Sequence, residues 1–453
     1  MILVGLFGAI FTILVAGFGV SLLIFARTGR LNLIECSCLA WLLGSGTVSL
    51  LLWVCGTFCS GLALSSIVTI ACLALGILGW RAKQHAAGRF VLPLPANVIE
   101  WFLSSLVVVE IAILLVVSFK HTLGWDGLLN WEIKARYAFL NGGVIPQSYY
   151  SNAGRAFSHP EYPLGIPFTE LWVYLWMGEP HQFWVKIIFP LFYATCAPLL
   201  ALFIARLSGQ RWSGLLIASL LALVPSISAS PGGIVVGYVD VPISVFYLAA
   251  LGYLLCWFKN NASCFIVAFA ACSAFLPWIK SEGVILWFVL ALVGLILGLS
   301  KRRVVPFFVS IAPGLLIILG WRVYLKLMHT FPHSDFARPS FRLLRENLVR
   351  LGDIGRILFT ELSEVVHWSV FWLLVAVAVV YLFTSRKLEK TLLAVAVLLP
   401  IVLYSLIYLF STWPSYTAHM TSSVPRLLLH VMPAGWLAIG LALTQPKDQN
   451  RRL

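Results

Sequence analysis

The chain consists largely of long apolar runs, and these restrict its fold more than any other feature. A segment in hydrocarbon must pair every backbone amide within itself, so a run of about 20 apolar residues that crosses a core roughly 30 Å thick has to be a helix. The runs Met1 to Phe25, Leu31 to Val54, Thr57 to Trp80, Glu100 to Ser118, Gln182 to Ile204, Gly214 to Ser228, Val241 to Phe258, Cys264 to Trp278, Val284 to Leu299, Val304 to Leu327, Trp368 to Phe383, Thr391 to Phe410 and Leu427 to Leu443 meet that description. They predict an all-α, polytopic membrane protein with about 13 transmembrane helices, in keeping with 60% hydrophobic and only 11% charged residues among 453. The first run has no basic stretch before it and no small-residue cleavage pattern after it, so it is expected to remain as an anchor.

The charges then set an orientation. With the N-terminus outside, the inner loops and tail hold Arg27, Arg30, Arg81, Lys83, Arg89, Arg206, Arg211, Lys259, Lys301, Arg302, Arg303, Arg386, Lys387, Lys390, Lys447, Arg451 and Arg452, whereas the short outer turns hold only Lys280. This is the positive-inside bias, and it accounts for the net charge of +14 without any nucleic-acid partner. The C-terminus falls in the cytoplasm and both long polar loops, 119–181 and 329–367, fall outside. Twelve of the 17 acids share that outer face. Carboxylates gathered on one face of a membrane protein point to work done there.

The most polar stretch is Gly124 to Pro180. Asp126, Asn130 and Lys134 recur every four residues and share one face of a helix expected to lie on the membrane surface. A second apolar run, Ile166 to Met177, is too short to span and is expected at headgroup depth, with Trp172, Tyr174 and Trp176 as interfacial aromatics. Later outer turns repeat the pattern. Asp240 stands where a helix begins, Lys280 and Glu282 share the next turn, Arg322 ends a helix, and Arg426 and His430 lie one turn apart near the last one. The nine cysteines sit in or beside apolar runs and give neither a disulfide framework nor a zinc spacing.

Trp125-Asp126, the continuation Asn130-Trp131 with Lys134-Ala135, His159-Pro-Glu-Tyr-Pro163, Tyr238 with Asp240, Lys280 with Glu282-Gly283, and Arg426 with His430 and Pro433 form a set of short spaced motifs. Together they resemble the integral-membrane GT-C glycosyltransferases, especially bacterial protein-mannosyltransferases and aminoarabinose transferases. The likeness spans about residues 100–444. It leaves 1–99 as a three-helix N-terminal extension and 445–453 as a cytoplasmic tail. In the family the catalytic loop follows the first helix, whereas here it follows the fourth.

The resemblance implies transfer of a sugar from a polyprenyl-phosphate donor to a lipid, glycan or protein acceptor, on the periplasmic face of a bacterial inner membrane. Asp126 matches the family's general base. Arg426 is the first choice for the donor phosphate, with Lys280, Arg322 and Lys134 behind it, because guanidinium pairs with phosphate bidentately. Asp240, Glu161, His159 and Glu282 are the secondary acids or acceptor contacts. No cofactor is required by the motifs; a divalent metal at Asp240 stays open but is not favoured.

Plainer readings compete at each position. Asp126 and Asp240 suit helix N-caps, His159 and Glu161 a solvated turn between prolines, Lys280 and Glu282 a weak pair with each other, and Arg322 and Lys326 snorkelling to headgroups. The loop 329–367 reads as a cover over the site. A flippase for a lipid-linked sugar, or a periplasmic glycan polymerase or ligase, uses the same donor and remains an alternative.

Overall fold

The computed structural model describes residues 1–86, 88–228 and 232–444. The expected tail 445–453, and residues 229–231 of one expected outer turn, lie outside the described residues. Among those described, nine helices are long and apolar enough to cross a membrane, and a tenth span is formed if one bent pair is counted. The chain is therefore a nearly all-helical, multi-pass membrane protein.

The elements used below are α1 (Ile2–Phe25), α2 (Leu33–Gly56), α3 (Gly61–His85), α4 (Val98–Lys120), α5 (Ile133–Leu140), α6 (Gly165–Met177), α7 (Ile188–Ser208), α8 (Asp240–Asn260), α9 (Gly283–Ser300), α10 (Val304–Leu327), α11 (Leu351–Leu362), α12 (Phe371–Thr384), α13 (Leu388–Ile407), α14 (Tyr416–Leu429) and α15 (Met432–Leu443).

The expected thirteen spans reduce to nine or ten by this criterion, and prolines explain most of the difference. The run Gly214 to Ser228 breaks into Arg211–Ala218 and a short 3₁₀ turn, with Val224 extended ahead of Pro225, because the residue before proline is pushed out of the helical region. The run Cys264 to Trp278 belongs to a shorter apolar helix, Ser263–Ile279, interrupted at Phe275 just before Pro277. The last run is the bent pair. α14 and α15 meet at 49° around His430 and Val431, where Pro433 lacks the amide that would continue the helix. The fourth, α12, starts only at Phe371, after Ser369 has turned the chain at φ 52°.

The first three helices are not detached from the rest. α1 and α2 touch along glycines: a Cβ at Gly17 would lie 2.0 Å from the Ala40 carbonyl oxygen, and one at Gly44 2.1 Å from that of Ile13. Small residues allow such backbone contact where lipid offers no hydrophobic drive. Three long-range bonds then fasten this unit to the remainder. Trp172 Nε1 donates to Thr12 Oγ1 (2.9 Å), Trp278 Nε1 donates to Ser49 Oγ (2.9 Å), and Arg206 forks onto Glu35 through two 2.8 Å bonds.

Two expectations about the first polar loop are corrected. α6 does not present an aromatic belt: Trp172 and Tyr174 are fully buried, only Trp176 is exposed, and the helix packs against α1 and α2. Its apolar residues occupy every face, so it has no polar side to give to water. The helix that begins at Trp125 is also turned inward. It opens with a π-helical segment, Gly127–Glu132, runs on as α5, and stops at Asn141, where Gly142 and Gly143 adopt φ of 68° and 94°. Asn130, Trp131, Glu132 and Lys134 along it are all buried.

Close backbone approach fixes where this helix starts. The Gly124 amide donates to the Val236 carbonyl (2.8 Å), and a Cβ at Gly127 would stand 2.6 Å from that same oxygen. The beginning of the loop is thus docked on the segment that leads into α8, which brings Asp126 beside Asp240.

Candidate functional site

Four stretches far apart in sequence converge at this end of the bundle. Arg426 near the end of α14 donates from Nε to Asp240 Oδ2 (3.0 Å) and from Nη1 to Asp126 Oδ2, while its guanidinium lies 4.7 Å from the centre of the Tyr238 ring. The Tyr238 hydroxyl accepts from the Asp126 backbone amide (3.3 Å). On the other side of Asp240, Oδ1 accepts from Lys280 Nζ (2.8 Å) and from His430 Nε2 (2.9 Å). Lys280 also reaches Glu282 Oε1 at 2.9 Å.

These ions are paired because they are dry. Asp240 and His430 are fully buried and Lys280 is 3% exposed, and a desolvated charge persists only with good partners. Burial favours the neutral amine of Lys280, but the Asp240 and Glu282 carboxylates outweigh it and raise its pKa above the ordinary lysine value. For Glu282, burial pushes the carboxyl up while Lys280 pulls it further down, so it ends below the ordinary range. His430 donates from Nε2, which leaves Nδ1 to accept from the Tyr404 hydroxyl (3.1 Å).

A cavity of about 770 Å³ opens over this cluster. Asp126, Asn130, Lys280, Glu282, Tyr404 and Arg426 line one part of it. Phe157, His159, His333, Asp335, Trp413 and His419 line another. Arg426 and Asp126 remain 18% and 24% exposed, so both present polar atoms to the cavity while touching each other.

Compared with family models, with curated proteins and with solved structures, the chain matches none.

The position of each expected residue can therefore be read only from its own contacts. Asp126 makes no capping bond at the head of its helix, and Asp240 makes none at the head of α8; both spend their oxygens on cations. The weak Lys280–Glu282 pair becomes part of a buried network through Asp240. His159 and Glu161 do sit in a turn, closed by the Tyr162 amide donating to the His159 carbonyl (3.0 Å), but their side chains are not freely solvated. They are half-buried, bonded to each other at 3.2 Å, and both line the cavity, with His159 at φ 46°. Arg322 is exposed on α10 and does not line the cavity, so it stands apart from the cluster. Lys134 lies behind the wall: fully buried, it donates to Asn130 Oδ1 (3.1 Å), and burial pulls its pKa down to about 7. Nearby, Glu170 is fully buried and neither of its oxygens has a hydrogen-bond partner; burial pushes its pKa well above the carboxylate range.

The loop 329–367 is more than a cover, since His333 to Phe336 form part of the cavity wall. Sequence reading missed Asp335, His333, Trp413, His419 and Tyr404 as site residues. Asp335 and Trp413 sit in polar loops with no spacing to mark them, and Tyr404 is hidden inside an apolar run. Among the described residues, no group of three or more His, Cys, Asp or Glu side chains is placed to hold a metal ion.

Proposed function

We propose that this protein is a membrane glycosyltransferase that moves a sugar from a polyprenyl-phosphate donor to an acceptor at the loop end of the bundle. That end is assigned to the periplasmic face of a bacterial inner membrane, with the N-terminus outside and the C-terminus in the cytoplasm, on the charge bias of the loops. The observation that carries the reading is Arg426, a guanidinium held at the cavity wall between two carboxylates, one buried and one open to the cavity.

In the proposed reaction the acceptor hydroxyl attacks the anomeric carbon. A new C–O bond forms, the bond from that carbon to the phosphate oxygen breaks, and its electron pair leaves with the lipid phosphate. The hydroxyl proton passes to Asp126, the general base. Arg426, backed by Lys280, faces the charge that grows on the leaving phosphate. One direct displacement inverts the sugar's configuration. Ile285, Ile407 and Leu427, which also line the cavity, offer the isoprenoid chain an apolar flank. Asp240 acts as the anchor that holds Arg426 and Lys280 in place. Asn130, next to Asp126 in the wall and bonded to Lys134, suits a contact to the sugar.

A transport reading has one observation in its favour, the 49° break beside His430, since discontinuous helices mark many transporter sites. Vesicles containing the purified chain and a radiolabelled polyprenyl-phosphate sugar separate the two. Labelled product that depends on an added membrane acceptor fraction supports transfer. Movement of intact donor between leaflets, without cleavage, supports transport and overturns the transferase.

A further inference from the structure

The half of the cavity away from Arg426 is built differently. Trp413 lines it and is held on three sides. His419 stacks on one face of its ring with centroids 4.4 Å apart and planes 10° apart, Nε1 donates to Asp335 Oδ1 (3.0 Å), and the backbone amide donates to Ser411 Oγ (3.4 Å). Its loop is zipped to the Asp335 loop, with the Thr412 amide donating to the Asp335 carbonyl (2.9 Å) and the Ala337 amide to that of Phe410 (2.7 Å). Even so, Trp413 keeps 42% of its surface exposed. An indole fixed at its edge, covered on one face and still open to a cavity is a preformed platform.

The polar groups beside the platform supply both kinds of hydrogen-bond partner. Asp335 lies 3.7 Å from His333 Nε2 and 3.9 Å from His159 Nε2, and His159 pairs with Glu161, whose Oε2 is buried with no partner. Among the described residues, the lysine and arginine of the lining are Lys280 and Arg426, both paired with Asp240, so the groups beside Trp413 do not suit a phosphate. Carboxylates accept and imidazoles donate or accept, which matches the hydroxyl, a group that does both. A flat apolar C–H face with hydroxyls around its edge is the chemistry of a pyranose.

From this we infer that the acceptor is a carbohydrate, and that its pyranose ring lies on Trp413 with its hydroxyls toward Asp335, His159 and Glu161. The inference rests on the transferase reading for the word acceptor, but the binding site is tested apart from it.

The full chain in phospholipid nanodiscs, free of sugar detergents, is mixed with methyl α-mannopyranoside, methyl β-glucopyranoside or the methyl glycoside of N-acetylglucosamine, and saturation-transfer NMR is recorded. At least one probe should receive saturation at its ring protons. Trp413→Leu, which stays apolar and loses the π face, should weaken that binding by about tenfold, whereas Trp413→Phe should retain most of it. Asp335→Asn should weaken it as well. Absence of transfer to every probe, or equal transfer in Trp413→Leu and the parent, overturns the site. So does Trp413-dependent transfer to a serine- and threonine-containing peptide in place of the glycosides. Donor turnover, measured separately, distinguishes the two readings: turnover without glycoside binding removes only this subsite, and glycoside binding without turnover removes the transferase.

Discussion

Arg426 and Asp126, 300 residues apart in the chain, meet through Nη1 and Oδ2 at the wall of the cavity. The same guanidinium holds Asp240, which is fully buried and has no route to water. A phosphate that took both the free Nη2 and Nη1 of Arg426 in a bidentate pair would compete with Asp126, the exposed partner, and not with Asp240. In the proposed reaction that exchange would loosen Asp126 from Arg426 as the donor binds and favour its action as general base.

Replacing Arg426 is expected to affect donor and rate together. Arg426→Gln should lower turnover by about 10²–10³-fold, the usual scale for removing one preorganised group that faces developing charge. Arg426→Lys should fall between, because an ammonium keeps the charge and loses the bidentate fork. Initial rates of labelled transfer at matched expression check both; equal rates in Gln and Lys variants would argue against charge at this position.

The two aspartates should differ in their structural weight. Asp240→Asn leaves the buried Lys280 without its closest carboxylate, and breaking a buried pair typically costs about 3–5 kcal/mol. Asp126→Asn touches a partly exposed pair and should cost about 1 kcal/mol or less. Thermal melts of the purified variants should give a clearly lower Tm for Asp240→Asn alone.

Acid and alkali should act on the Lys280–Glu282 pair from opposite sides. Glu282 has a folded pKa below the ordinary 4.5, so its stabilisation is complete above 4.5 and is lost as pH falls through the folded value. Lys280 has one above 10.5, so its share is complete below 10.5 and is lost as pH rises through the folded value. The difference in Tm between the parent and a Lys280→Met/Glu282→Gln double variant should be flat between those limits and shrink outside them.

Lys134 predicts the reverse slope on its own. Its folded pKa of about 7 lies below the ordinary 10.5, so the unfolded chain holds more protons between those values and stability rises with pH across that window. Lys134→Met removes the titration. The parent's Tm should gain on that of the variant from pH 7 to pH 10; a constant difference would show that the amine is not pushed toward neutrality.

The glycine contact between α1 and α2 gives a test of scaffold rather than chemistry. Gly44→Val places side-chain atoms where the Ile13 carbonyl stands, and overpacking of this kind costs about 1–3 kcal/mol. A lower Tm with little change in donor affinity is expected, because α1 and α2 reach the cavity only through α6 and neighbouring helices.

The membrane-spanning character was legible because hydrocarbon leaves a backbone no choice but helix, and long apolar runs announce it. Their number was less so. Pro225, Pro277 and Pro433 break runs that composition alone reads as continuous, and composition does not weigh a single missing amide. Asp126, Asp240, Lys280, Glu282 and Arg426 stood out as rare charges at the edges of apolar segments, and the fold brings those five into one network. What sequence did not give was who pairs with whom: for Asp126 and Asp240 a cap and a functional carboxylate both stayed open, and Arg426 lies between them. Arg322 carried the same local signal as Arg426 and ended on an exposed face, since proximity in the fold depends on how helices pack and not on position within a helix. Trp413 and Asp335 were invisible as a platform because their partnership joins two loops that no periodicity links.

The role of Asp126 is decided by turnover of a radiolabelled polyprenyl-phosphate sugar in membranes carrying Asp126→Asn, compared with the parent at matched expression and with donor binding measured alongside. The proposed chemistry predicts that binding persists and that turnover drops by about 10²–10⁴-fold, the scale of a lost general base. Unchanged turnover in Asp126→Asn would contradict it and leave Asp126 as no more than a partner that holds Arg426.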